Sequence, residues 1–380
     1  MDFDLSEEQR ALSESLARLL ADRYGADARA GYVGEPGGFS RARWADFVAL
    51  GLTALPFAEA HGGLGAGAVE TMVVMQAFGR ALVVEPYLAS IVLGGTALRL
   101  GASTEQQARI LPGVAAGTTL LALAHAEAGS RFDLLDIACT ARPAGTGWVL
   151  DGAKAAALGA DSADLLIVAA RHAGDRRDQA GIGLFLVAAD AAGLERRGYT
   201  ALDGTRAAEL RFVATPAEPL GDLASGHAVL AQAIEHGIAA ACAESLGVME
   251  AMQALTLDYL KTRKQFGRAI GEFQALQHRA VDMFMALEQA RSMVFFATGA
   301  LALEDAAERA RAIAAAKVQV ARSTRHIAEE AVQLHGGIGM TLEYFLGHLA
   351  RRATALASLF GDEDHHVRRL AAMGGLYPAA

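Results

Sequence analysis

Helical periodicity opens the chain, fades near Thr118 and returns at Gly226, and this alternation predicts three segments. Ser6-Glu7-Glu8-Gln9 is a capping-box pattern, and Leu12, Leu16, Leu19 and Leu20 follow on one helical face. A turn-rich gap covers 34–38, and Trp44, Phe47 and Leu50 then mark a short helix ending near Gly51. Two more helices are expected over 69–100, broken near Glu85-Pro86. Ser103-Thr104-Glu105-Gln106 caps a last short helix before Pro112. Beyond Thr118 the texture becomes short apolar runs separated by Gly, Asp and Pro, at 120–124, 137–141, 148–150, 165–170, 183–187, 195–200 and 209–213. Gly145-Thr146-Gly147 fits a hairpin turn. These runs predict a compact antiparallel barrel or sandwich of roughly 100 residues. Long helices return over about 227–263, then past Phe273 through Met283, Leu287 and Met293, then over 306–335, with a shorter pair over 342–370. Helices of this length joined by tight loops imply a four-helix bundle. The expected fold is mostly α with a β domain: an N-terminal helical domain (1–116), a middle β domain (117–225) and a C-terminal helical bundle (226–380).

Composition narrows this picture. Apolar residues make up 53% and charged residues 20% of 380 residues, which describes a globular chain with a sizeable core. Much of the apolar share is alanine, which with Leu, Glu and Arg favours helix. A net charge of −9 argues against general nucleic-acid binding, although local Arg clusters can still hold an anionic cofactor. Cys139 and Cys242 lie far apart and suggest neither a disulfide framework nor a metal cluster. The start, Met1-Asp2-Phe3-Asp4, has no signal-peptide pattern, and no uncharged apolar run is long enough to span a bilayer. The expected setting is cytoplasmic, with no membrane and no metal.

Two stretches carry candidate chemistry. Thr262-Arg263-Lys264-Gln265-Phe266-Gly267-Arg268-Ala269-Ile270-Gly271-Glu272-Phe273-Gln274 lies between two long helical patterns. An Arg can clamp a pyrophosphate with a planar fork of donors, a Phe can lie against a ring, and a Gln offers both donor and acceptor. The plainer alternative is a helix–helix corner with a solvated basic face. The second stretch, Ala331-Val332-Gln333-Leu334-His335-Gly336-Gly337-Ile338-Gly339-Met340, ends a helical pattern in a glycine-rich turn, where backbone can approach a ligand closely. It also reads as an ordinary helix C-terminus with Gly in the left-handed position. Together, Arg-x-x-Phe-Gly followed by Phe-Gln, and Gln-Leu-x-Gly-Gly, resemble the flavin-binding signatures of the acyl-CoA dehydrogenases. Helix, barrel, bundle is also the domain order of that family. The resemblance implies FAD as cofactor, held by Arg263, Phe266, Gln274, Gln333, Gly336 and Gly337 for a neighbouring subunit, while Ser130 approaches the flavin of its own chain. It implies α,β-dehydrogenation of an acyl-CoA to the 2,3-enoyl-CoA, at least a dimer, and an electron-transfer protein as acceptor.

That reaction needs a carboxylate against the α C–H, raised in pKa by desolvation. The family's Tyr-Glu-Gly-Thr corresponds here to Gly361-Asp362-Glu363-Asp364, which puts Asp362 in the base position with about 1.5 Å less reach than Glu. Glu363 is the fallback. The alternative is that three acids complement a helix dipole. Some family members carry the base on the earlier long helix; that position here is Gly237, and nearby Glu235 is a second candidate, which otherwise reads as a surface helix acid. His365-His366 does not have metal-ligand spacing. Gly63-Leu64-Gly65-Ala66-Gly67 has no βαβ frame, reads as a surface turn, and resembles the family's Tyr-Gly-Gly-Leu-Gly with His61 in place of Tyr. The middle domain departs further. Ala124-His125-Ala126-Glu127-Ala128-Gly129-Ser130 stands for Thr-Glu-Pro-x-x-Gly-Ser, and Lys154-Ala155-Ala156-Ala157-Leu158 for Lys-x-Trp-Ile-Thr. This erosion resembles the small subunits of bacterial heteromeric acyl-CoA dehydrogenases such as pimeloyl-CoA dehydrogenase-like pairs. It opens a second reading, a non-catalytic or half-site subunit of a heterotetramer.

Overall fold

The computed structural model describes residues 4–145, 147–341 and 343–375; Thr146 of the expected hairpin turn, Leu342 and the acidic start at 1–3 lie outside the described residues. Two compact units emerge, and each collects non-contiguous stretches of chain.

The first unit holds Met1–Arg29, Ala68–Val83 and Ile238–Ala380. It contains α1 (Glu7–Arg23), α4 (Ala68–Ala81), most of α7 (Gly226–Thr262), a small β8–β9 hairpin (Lys264–Gln265 and Arg268–Ala269), α8 (Gln274–Ala300), α9 (Ala306–His335), α10 (Phe345–Ser358) and α11 (Glu363–Ala372). The capping box forms as patterned: Gln9 N–H donates to Ser6 Oγ at 3.2 Å and Ser6 N–H donates to Gln9 Oε1 at 2.9 Å. Against α9 pack α8, α10 and α11. Its buried stripe runs Ile313, Lys317, Val320, Thr324, Ile327, Ala331, Leu334, the alternating three- and four-residue spacing of a helix buried along one seam. Helices α4 and α7 touch backbone to backbone, because Gly79 faces the Glu244 carbonyl and Gly247 faces the Gln76 carbonyl with no room for a Cβ at either. Beside this crossing Glu244 and Arg352 form a buried bidentate pair at 2.6 and 2.7 Å, which the sequence pattern did not flag. By length and composition α7 could cross a membrane, but 78% of its apolar window is buried, so it is a core helix.

The second unit holds Ala30–Gly67 and Val84–Gly237. A helix that the pattern did not predict, α2 (Ala26–Gly34), precedes the expected gap; then come α3 (Arg41–Ala49), a π-helical stretch Leu88–Gly94 continuing into α5 (Gly95–Gly101), and α6 (Thr104–Ala115). Residues 61–67 form a loop whose Gly65 and Ala66 N–H groups donate to Phe57 and Leu55 carbonyls. Seven strands follow: β1 (Leu121–Ala124), β2 (Thr140–Ala144), β3 (Gly147–Leu158), β4 (Leu165–Arg171), β5 (Ile182–Ala188), β6 (Leu194–Thr200) and β7 (Arg206–Pro219). β4 and β5 are buried almost throughout, as their unbroken apolar runs require.

Two corrections concern this sheet. It is mixed rather than antiparallel, since β1 and β2 both run parallel to β4. It is also not a fully closed barrel: β2 meets β4 only at Thr140–Arg171, and β5 meets β7 only through Phe185–Pro219 and Leu186–Glu218. The run at 137–139 is not strand. Its backbone is claimed by side chains: Ala138 and Cys139 N–H donate to Glu127, and the Ile137 carbonyl accepts from buried Arg171. Conversely β3 and β7 extend far past their apolar cores, with bulges, because they pair with each other along most of their length.

Candidate functional site

The C-terminus of α7 delivers Arg263 into a tight hairpin. Lys264 pairs with Ala269 and Gln265 with Arg268, leaving Phe266 and Gly267 as the two turn residues. Both have positive φ, 54° and 82°, the backbone twist of a two-residue primed turn. Glycine takes that conformation freely; phenylalanine is strained there, and its ring is 89% exposed. The hairpin is braced from inside by Phe273, whose ring meets Phe266 edge-on at 6.2 Å and lies under the Arg268 guanidinium at 4.8 Å. Arg263 is exposed and has no ion-pair partner among the described residues. Gln274 is the exposed first residue of α8.

The second glycine-rich stretch sits at the end of α9. Gly336 has φ 67° and ψ −146°, and neither it nor Gly337 has an atom within 4 Å of where a Cβ would stand. Gln333 is exposed one turn earlier. What joins the two stretches is a stack of three rings that the sequence reading did not single out. His335 lies face to face with Tyr259 of α7, centroids 4.4 Å apart at 27°, and against Tyr344 at 5.3 Å. His335 Nδ1 is 2.8 Å from the Ala331 carbonyl, so it carries the proton, and Nε2 accepts from Tyr344 Oη at 3.4 Å. Burial holds this imidazole below its usual pKa, which keeps it neutral and able to stack. Tyr259 stands one turn before Arg263, so the stack sets the Arg263 hairpin beside the Gly336 turn. His335 was inside the quoted stretch, but its partner 76 positions earlier was not deducible from spacing.

In the other unit, Ser130 is buried and closes its own turn: Glu127 N–H donates to its Oγ, and the Oγ–H donates to the Glu127 carbonyl, both at 3.1 Å. The Glu127 carboxylate takes Lys154 Nζ at 2.6 Å, and Lys154 also donates to the His125 carbonyl at 3.2 Å. His125, where the family has Glu, is pushed down to about 4 by burial and by Lys154, and its Nδ1 is buried without a hydrogen-bond partner among the described residues.

The acids occupy three different environments. Asp362 is the N-cap of α11, and its Oδ1 accepts the His365 N–H at 2.8 Å. Glu363 accepts from Arg322 and Arg325, each at 2.6 Å, and these guanidiniums hold its carboxyl below the ordinary range. That is the opposite of what an α-proton base needs. Glu235 is not the surface acid that the pattern suggested; it is 3% exposed on α7.

Family models describing the N-terminal, middle and C-terminal domains of acyl-CoA dehydrogenase match residues 6–118, 122–214 and 224–374. The chain is 30% identical to the acyl-CoA dehydrogenase FadE12 of Mycobacterium tuberculosis, over 90% of this chain and 89% of that one. It is 27% identical to the probable acyl-CoA dehydrogenase YngJ of Bacillus subtilis, over 97% and 98%. Among solved structures, the Tcur3481–Tcur3483 steroid ACAD is 29% identical with a TM-score of 0.88, covering 97% of each chain. The FAD complex of PigA is 25% identical with a TM-score of 0.89, over 99% and 100%. The chain therefore belongs to the acyl-CoA dehydrogenase family.

Proposed function

We propose that this chain is an FAD-dependent acyl-CoA dehydrogenase that converts an acyl-CoA thioester to its 2,3-enoyl-CoA, with segments 1–116, 117–225 and 226–380 as its working domains. The observation that carries the reading is the Tyr259–His335–Tyr344 stack, which sets an unpaired exposed Arg263 and a strained exposed Phe266 beside an open Gly336-Gly337 backbone. These residues fit a pyrophosphate and an adenosine: a planar cation with no competing carboxylate among the described residues, ring surface, and a Gly336-Gly337 backbone with space on its side-chain face for a ligand to come close. Arg263, Phe266, Gln274, Gln333, Gly336 and Gly337 are assigned to the FAD of a neighbouring subunit, and Ser130, through its turn, to the flavin of its own. FAD supplies the hydride acceptor. Asp362 is assigned as the α-proton base, with Glu363 and Glu235 behind it. A homodimer or tetramer, or a heterotetramer with a second acyl-CoA dehydrogenase chain, and an electron-transfer protein complete the scheme.

A second reading has its own support. Asp362 is engaged as a helix cap and Glu363 by two arginines, and the hydroxyl and indole of the middle domain are replaced by methyls. In that reading the chain lends its clamp to another subunit's flavin without doing chemistry, as one member of a pair; the Tcur3481–Tcur3483 neighbour carries a two-protein name. One experiment separates the two. Flavin per chain is read from the visible spectrum, and bleaching is followed on adding an acyl-CoA. Asp362→Asn should keep the yellow colour and slow bleaching by about 10²-fold or more, the scale of a lost general base. Wild-type protein that bleaches only after a second chain is added supports the half-site reading instead.

A further inference from the structure

Two buried titratable side chains lie beneath the segment that carries Asp362. Lys317 occupies a core position in the α9 stripe, 1% exposed, and its Nζ donates to the Leu356 carbonyl in the last turns of α10 at 2.6 Å. His366, in the first turn of α11, is 0% exposed, and its Nε2–H donates to the Phe360 carbonyl at 3.1 Å. Its Nδ1 is buried with no hydrogen-bond partner among the described residues. Between these anchors the backbone is wound tightly. Phe360 has φ 59° and Gly361 φ 118°, and a Cβ at 361 would stand 2.5 Å from His366 Nε2. This is why glycine stands where the family has an aromatic. Asp362 comes next, and its carboxylate follows the first turn of α11 because Oδ1 accepts the His365 N–H. A buried amine with one carbonyl as its acceptor among the described residues is expensive, and an apolar side chain would fill the same space at lower cost. The donors therefore have a use beyond packing.

We infer that Lys317 and His366 are positioning residues: Lys317 holds the end of α10, His366 holds the turn onto α11, and together they aim the Asp362 carboxylate. The inference rests on the assignment of Asp362 as base. Its test uses the FAD-loaded protein, assembled with a partner chain if one is needed. His366→Leu should speed hydrogen exchange of the Gly361, His365 and His366 amides by about tenfold, the scale of one lost hydrogen bond, with α9 amides unchanged. It should also lower kcat by about 10²-fold at constant KM, as expected for a misplaced base. His366→Gln, whose amide can still donate to the Phe360 carbonyl, should restore both. Unchanged exchange in His366→Leu overturns the inference. Faster exchange with unaltered kcat, while Asp362→Asn is inactive, also overturns it and leaves the base assignment standing. Full activity of Asp362→Asn removes the base assignment and the aiming role together, whatever the exchange rates. Where His366→Leu does not fold, Lys317→Met is judged from the other anchor by the same two measurements.

Discussion

Arg263 is exposed and pairs with no carboxylate among the described residues, so its removal should leave the folded chain almost untouched. Arg263→Ala is expected to shift the melting temperature little and to weaken FAD retention by about 1.5–3 kcal/mol, roughly ten-fold or more. Flavin occupancy after gel filtration measures it; unchanged occupancy takes Arg263 out of the cofactor site. His366 behaves in the opposite way, being costly to the fold rather than to the ligand. Burial, then the charges of His365 and Lys317, push its imidazole down to about 3. An unfolded histidine titrates near 6.5, so between those values the unfolded chain binds the extra proton. Stability therefore rises with pH across that window and is lost as pH falls from 6.5 toward 3. His366→Gln should abolish about 2 kcal/mol of the stability lost between pH 7 and pH 5. Urea unfolding of both proteins at the two pH values tests this, and parallel pH profiles would refute it.

Helix elements are joined here by glycines that a pattern scan treats as mild defects. Gly79 and Gly247 each press against a carbonyl of the opposite helix, Glu244 and Gln76, so the α4–α7 crossing depends on having no side chain there. Gly247→Ala is expected to cost about 1–3 kcal/mol, because two rigid backbones must separate. Gly299, near the end of α8, has nothing within 4 Å, and Gly299→Ala should be neutral or stabilise by up to about 1 kcal/mol. Urea midpoints of the two variants give the comparison. The same helical residue type then differs in sign at two positions for a reason that only the neighbour across the crossing supplies.

For the whole molecule, α8 leaves Val281, Phe284, Met285 and Phe296 about half exposed on one helical face, and Phe266 is almost fully exposed nearby in sequence. Such a patch is unusual on a chain that works alone. If the cofactor clamp is shared between subunits, Phe284→Glu should lower the apparent mass in sedimentation velocity and reduce flavin occupancy in parallel. A smaller assembly that keeps its full flavin complement would show that the clamp acts within one chain.

Periodicity alone was enough for the long helices and for the existence of the seven strands of the large sheet, though not for the β8–β9 hairpin, because amphipathic spacing and unbroken apolar runs are local properties. The α9 boundaries, Ala306–His335, coincide with the pattern, since Asp305 caps one end and Gly336 turns the other. The candidate cofactor residues were legible for the same reason: each motif is a short run in one place. Tertiary pairing decided the rest. Glu127 and Arg171 took the backbone of 137–139 out of the sheet, and β3 and β7 lengthened each other through sequence that has little strand preference of its own. Whether an acid is a base, a cap or half of an ion pair was also invisible from spacing. Asp362 became a cap, Glu363 met two arginines from α9, and Glu235 was buried. Protonation depends on what the fold brings within a few ångströms, and those neighbours come from distant parts of the chain.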